Sequence, residues 1–165
     1  MNENRFIDNH TGIIHDLHTN LVWHKHPIAI TPTTWKLASQ LCQYLKHGDY
    51  SLDDHSRAGE WRIPSIHEFM TIVDYNMLEP ALPEYFWKFS RLMPGVYWTS
   101  NRLISLPNRV WCVDLFNGRV FYEYIGKMLL SNLRTPQYME RFLQVDSLGN
   151  AEYIAFVWPV RNGAI

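Results

Sequence analysis

The chain has 165 residues, with 15 Lys and Arg against 16 Asp and Glu for a formal net charge of −1. A sequence pI of about 6.7, with no RNA- or DNA-binding motif, disfavours nucleic acid as a partner. No apolar run reaches the roughly 18 residues that a membrane-spanning helix needs. At 47% hydrophobic and 15% aromatic, a chain of this length buries a sizeable core, and one domain over residues 1–165 is expected.

Met1-Asn2-Glu3-Asn4-Arg5 has no apolar stretch and does not read as a secretory signal. Either the protein stays where it is made or a leader has been removed. Residues 5–24 read as two short strands with a turn at Thr11-Gly12, and Asn20 suits a left-handed turn position. A first helix starts near Thr33 or Thr34, with Trp35, Ala38, Leu41, Cys42 and Leu45 on one face, and Gly48 ends it. Residues 49–60 are polar and acidic, a surface loop. Trp61-Arg62-Ile63-Pro64-Ser65 then enters a second helix, Ile66 to about Tyr75. Ser65 and Glu68 form a capping box, and Pro64 and Phe69 stand where a hydrophobic staple packs. A proline-marked stretch (Pro80, Pro83, Pro94) leads to a strand at Val96–Thr99. The clearest hairpin follows, Val110–Phe116 and Arg119–Tyr124 around Asn117-Gly118. Met139–Val145 suits a helical turn, Ser147–Asn150 a tight turn, and Tyr153–Val160 a last strand.

Seven of these segments, in order, resemble the bacterial DUF1566 or Lcl C-terminal-type family. They are Arg5–Asn9 with Thr11-Gly12 and Leu21-Val22-Trp23; Thr34-Trp35 through Ala38, Cys42 and Leu45; Trp61–Ser65; Val73-Asp74-Tyr75; Tyr97-Trp98-Thr99-Ser100; Val110–Leu115; and Asn117–Val120. The resemblance implies an α+β, C-type-lectin-like fold, with two short helices packed on small twisted antiparallel sheets. That fold serves binding more often than catalysis. Relatives usually pair the first-helix cysteine with one near the chain's end. Here Cys42 has no such partner and Cys112 lies in a strand. A Cys42–Cys112 bridge is the alternative, but nothing requires it, and two buried free thiols are expected. A missing staple suits a reducing compartment, whereas the family's surface adhesins point to the cell surface.

Residues with chemical potential are sparse. Five histidines fall within residues 10–26, and His24 and His26 share a strand face. No His-Glu-x-x-His, Cys-x-x-Cys or acidic calcium loop accompanies them. A metal enzyme would need His24 and His26 to converge with His15 or Asp16. The calcium-dependent sugar loops of many C-type lectins are also missing, since Leu106 precedes Pro107-Asn108 and Cys112-Val113-Asp114 follows Trp111. No catalytic, metal or cofactor site is therefore assigned.

Charge is distributed unevenly. Residues 1–87 hold six Lys and Arg against eleven Asp and Glu; residues 88–141 hold eight against three, with Arg outnumbering Lys six to two. Arg grips sulfate, phosphate or carboxylate with a planar fork. The basic section covers the loop and hairpin that the resemblance places at a ligand surface. Asn101, Arg102, Asn108, Arg109 and Asp114 are thus the candidate contacts, while Trp98 and Trp111 read as core. The expected function is non-catalytic recognition of an anionic glycan or acidic protein surface. The alternative is a protein-interaction subunit of an intracellular or phage assembly, which predicts an exposed apolar patch. A homo-oligomer fits either.

Overall fold

The computed structural model describes residues 5–27, 31–89, 95–129, 131 and 142–163. It is a small α+β structure of three short helices and antiparallel sheets. The first sheet joins the two ends of the chain, with order β1(Phe6–Asp8), β2(Ile13–Asp16), β3(Leu21–His24) and β10(Val160–Asn162). Three strands thus occupy the stretch read as two. The extra turn is built by Asp16, which accepts the His18 N–H at 3.0 Å and the Thr19 hydroxyl at 2.8 Å, and by Asn20 at φ 56°.

Helix α1(Trp35–Tyr44) starts where the Thr34 hydroxyl accepts the Leu37 N–H, and it ends a turn before Gly48. Leu45 leaves the helix in an extended conformation and drops into the core. The loop after it is more than surface. Leu52 is buried, and the carboxylate of buried Asp54 accepts from Arg161 at 3.0 Å. Helix α2(Ile66–Ile72) has the expected capping box, with Ser65 accepting from Glu68 N and Glu68 accepting from Ser65 N at 2.7 Å. Glu68 also receives both arms of Arg62, at 2.6 and 2.7 Å.

A third helix, α3(Glu84–Phe89), corrects the expected pair. It follows Pro83, whose fixed φ suits a helix start, and the Phe86 N–H donates to the Pro83 carbonyl. The second sheet has order β4(Val96–Arg102), β5(Arg109–Asp114), β6(Arg119–Tyr124). Its β5–β6 turn opens earlier than the Asn-Gly pair implied. Leu115 is buried and donates to Gly95, and the Gly118 N–H reaches back to the Asp114 carbonyl. The third sheet is β7(Met128–Leu129), β9(Asn150–Tyr153), β8(Leu143–Val145). Leu143–Val145 is therefore strand where a helical turn was expected; Phe142 alone has helical character, and 139–141 lie outside the described residues. The last expected strand, Tyr153–Val160, is not continuous: only its end residues lie in β9 and β10, and between them Ala155 and Phe156 make isolated bridges to Thr33 and Tyr97.

Two apolar clusters fill the interior. One gathers Trp61, Trp98, Cys42, Cys112 and Val110 under α1; the other gathers Trp23, Trp158, Phe69, Phe86 and Tyr97 beneath α2 and α3. Cys42 and Cys112 are free and buried, and burial pushes the Cys42 thiol up to about 12. Neither is a reactive thiolate near neutral pH.

Candidate functional site

The three-stranded sheet has two unlike faces, because alternate residues point to opposite sides. On one face Val110 and Cys112 pack into the core. On the other, Val113 lies in the cluster beneath α2, and its neighbour Trp111 is only half-buried. Trp111 is thus not the core residue expected. It stands opposite Tyr122 and meets that ring edge to face, centroids 5.5 Å apart at 89°. Tyr122 remains 44% exposed.

Arg109 extends this row. It pairs across the strands with Tyr124, and its guanidinium lies 5.7 Å from the centroids of both Tyr122 and Tyr124. Such cation–π contacts are worth about 0.5–1 kcal/mol at exposed sites. They hold the fork in place without neutralising its charge. Among the described residues Arg109 forms no salt bridge, and Glu123 interacts with it by charge without bonding to it. Arg109, Trp111, Tyr122 and Tyr124 therefore form an aromatic row with a fixed cation at one end. The tyrosines were missed in the sequence, although two tyrosines at i, i+2 facing Trp111 across a hairpin were a usable signal.

The five residues expected at the site are divided. Asn101 is structural: its side-chain carbonyl accepts the Ile66 N–H at 2.8 Å and ties β4 to the start of α2. Arg102 pairs with Val110 and therefore lies on the opposite face from Arg109. Its guanidinium stacks 4.5 Å from the Trp35 centroid, and the Trp35 N–H donates to the Thr99 carbonyl. Asn108 is exposed beside Arg109, and its carbonyl accepts from Ile125. Asp114 sits at the other end of β5, about 17 Å from Arg109 at strand spacing, where it accepts the Phe116 N–H. Of the other expected cations, Arg91, Arg134 and Arg141 lie outside the described residues.

Between Arg102 and Arg109 the chain turns through an exposed tip in which Ile104 is wholly exposed and Leu106 is exposed as well. A second apolar surface, a shallow groove of about 410 Å3, lies between α1 and the following loop, lined by Leu37, Tyr44 and Tyr50.

The histidines do not converge. His24 is buried against Trp61, ring centroids 5.9 Å apart. Its Nδ1 lies 2.5 Å from the His26 carbonyl and 3.1 Å from the His26 backbone nitrogen, donating to the first when it carries the ring proton and accepting from the second when it does not. The other ring nitrogen, Nε2, is buried and among the described residues has no hydrogen-bond partner. His15 instead meets Asn20, and Asp16 is held by Arg5 at 2.7 and 2.8 Å. Among the described residues no group of three His, Cys, Asp or Glu is placed to hold a metal ion.

Fold and surface together define a small α+β domain that presents an open, cation-bearing aromatic sheet. The Lcl C-terminal domain family matches residues 12–134, and the chain belongs to that family. No curated protein and no solved structure matches it.

Proposed function

We propose that this is a non-catalytic recognition domain of C-type-lectin-like architecture, which binds an anionic glycan on the aromatic row of β5 and β6. The pairing of the chain's first strands with its last, Trp23 opposite Val160, suits that architecture. One observation carries the ligand reading: Arg109 is held over Tyr122 and Tyr124, and among the described residues no carboxylate bonds to it. Trp and Tyr rings offer flat apolar area to a sugar at little entropic cost. An adjacent unpaired guanidinium adds a fork for a carboxylate or sulfate. Recognition then resides on one face of the sheet, with Arg102 outside it.

The test is a panel of neutral and acidic oligosaccharides against the wild type, Arg109→Ala and Tyr122→Ala. Acidic sugars should bind, and both substitutions should weaken them. Arg102→Ala should have little effect. Equal binding of neutral and acidic sugars, or none at all, would contradict the reading.

A protein partner is the second reading, favoured by the exposed apolar tip at Ile104 and Leu106. Exposed apolar residues rimmed by charged ones are a feature of protein interaction sites. Ile104→Asp should abolish capture of such a partner and leave sugar binding intact.

A further inference from the structure

Among the described residues no further strand pairs with the outer edge of β6. The Ile125 N–H donates to the Asn108 carbonyl, and these two residues stand opposite each other in the continuing β5–β6 register. Closely spaced pairs then recur at every second position: Val110–Glu123, Cys112–Phe121 and Asp114–Arg119. Phe121 and Glu123 therefore direct their backbone groups to β5, while those of Val120 and Tyr122 point away from the sheet. β6 is the end strand, and among the described residues no backbone group bonds to Val120 or Tyr122 on that side. Such an edge is a template for a further strand unless something blocks it.

The side chains select the strand that fits. Laid antiparallel against a second copy of itself about Phe121, β6 brings Val120 opposite Tyr122 of the other copy. Those are the residues with outward backbone groups, so the register and the hydrogen-bond phase agree. The same alignment sets Phe121 opposite itself. It also sets Arg119 opposite Glu123 on both sides of the axis, an opposite-charge cross-strand pair. Centring the pairing on Tyr122 instead would place Glu123 opposite Phe121 and lose both ion pairs. Glu123 has reason to accept a cation, because it is half-buried and among the described residues forms no salt bridge. Burial pushes its carboxyl up, and Arg109 offsets this only partly.

We infer that two copies of the chain dimerise edge to edge through β6, joining their three-stranded sheets into one six-stranded sheet. The interface is isologous. Its two-fold axis runs perpendicular to the sheet, so both aromatic rows lie on the same side. A repeating ligand would then meet two sites at once, with the gain that linked sites bring. The dimer is independent of what the face binds.

Sedimentation equilibrium on the full chain tests it, with Arg119→Glu, Glu123→Arg and an equimolar mixture of the two. The wild type should show twice the chain mass and each variant alone the chain mass. The mixture should return to twice the chain mass, since each altered strand then meets opposite charges. Recovery in the mixture also shows that both variants are folded. A monomeric wild type, single variants that remain dimeric, or a mixture that stays monomeric would each overturn the inference.

Discussion

Mild acid should destabilise the protein through one imidazole, that of His24. The residue is 1% exposed. Burial holds its pKa down at about 4, and the bond to the His26 backbone recovers only part of that loss. An unfolded histidine titrates near 6.5. Between those values the unfolded chain binds a proton that the folded chain refuses. The stability of the neutral ring is therefore fully present above pH 6.5 and lost as pH falls towards 4. The slope approaches about 1.4 kcal/mol per pH unit, and the whole window is worth about 3 kcal/mol. From pH 6.5 to pH 5 the expected loss is about 2 kcal/mol, a large share of the 5–15 typical of a domain.

Urea unfolding at half-unit pH intervals, for wild type and His24→Gln, isolates this effect. Glu123, raised by burial, acts in the opposite sense but equally in both proteins, so it cancels in the difference. Asp16 and Glu68 have lowered pKa values despite burial because arginines bond to them, and Asp54 because Ser56 and then Arg161 do. Their contributions are lost at lower pH, mostly beneath this window. The gap between the two proteins should close as pH falls. Parallel curves from pH 7 to pH 5 would show that His24 is protonated in the folded state and refute the reasoning.

Other substitutions follow from the packing. Trp61→Ala removes a buried ring whose N–H donates to Ser56 and on which Arg161 stacks at 5.3 Å; thermal melts should show a loss of about 3–5 kcal/mol. Gly12→Ala should cost at least about 2 kcal/mol, because φ is +83° and the added methyl would meet the Ser51 carbonyl. Wild-type stability in urea would contradict that contact. Asp54→Ala leaves the largely buried Arg161 without its carboxylate and should cost about 3 kcal/mol; Asp54→Asn, which keeps the Ser56 bond, should cost less.

Local chemistry was the part of the fold most legible in the sequence. Ser65 and Glu68 cap α2 as their spacing implied, and Asn117-Gly118 lies in the β5–β6 turn. Both depend on residues within a few positions of each other. Helix α3 was obscured because the prolines that open it also read as loop. Asn101 was misjudged because the N–H it accepts, that of Ile66, lies 35 positions away. Arg102 is divided from Arg109 because it pairs with Val110, whose side chain points to the opposite face from that of its neighbour Arg109, and that pairing is set by the sheet rather than by any local pattern. Alternation in β5 was readable, but it could not tell how far α2 covers the sheet. The cover reaches Val113 and leaves Trp111 half-exposed, and that difference makes the candidate surface. His24 looked like one of several surface histidines, and only tertiary packing buries it.

The most direct test of the recognition account is a calorimetric titration of one acidic oligosaccharide into wild type, Arg109→Ala and Arg102→Ala at low and high salt. The account predicts that Arg109→Ala weakens binding about tenfold, equivalent to about 1.4 kcal/mol, and reduces its salt dependence, while Arg102→Ala matches the wild type. Unchanged affinity in Arg109→Ala, or a loss confined to Arg102→Ala, would contradict it.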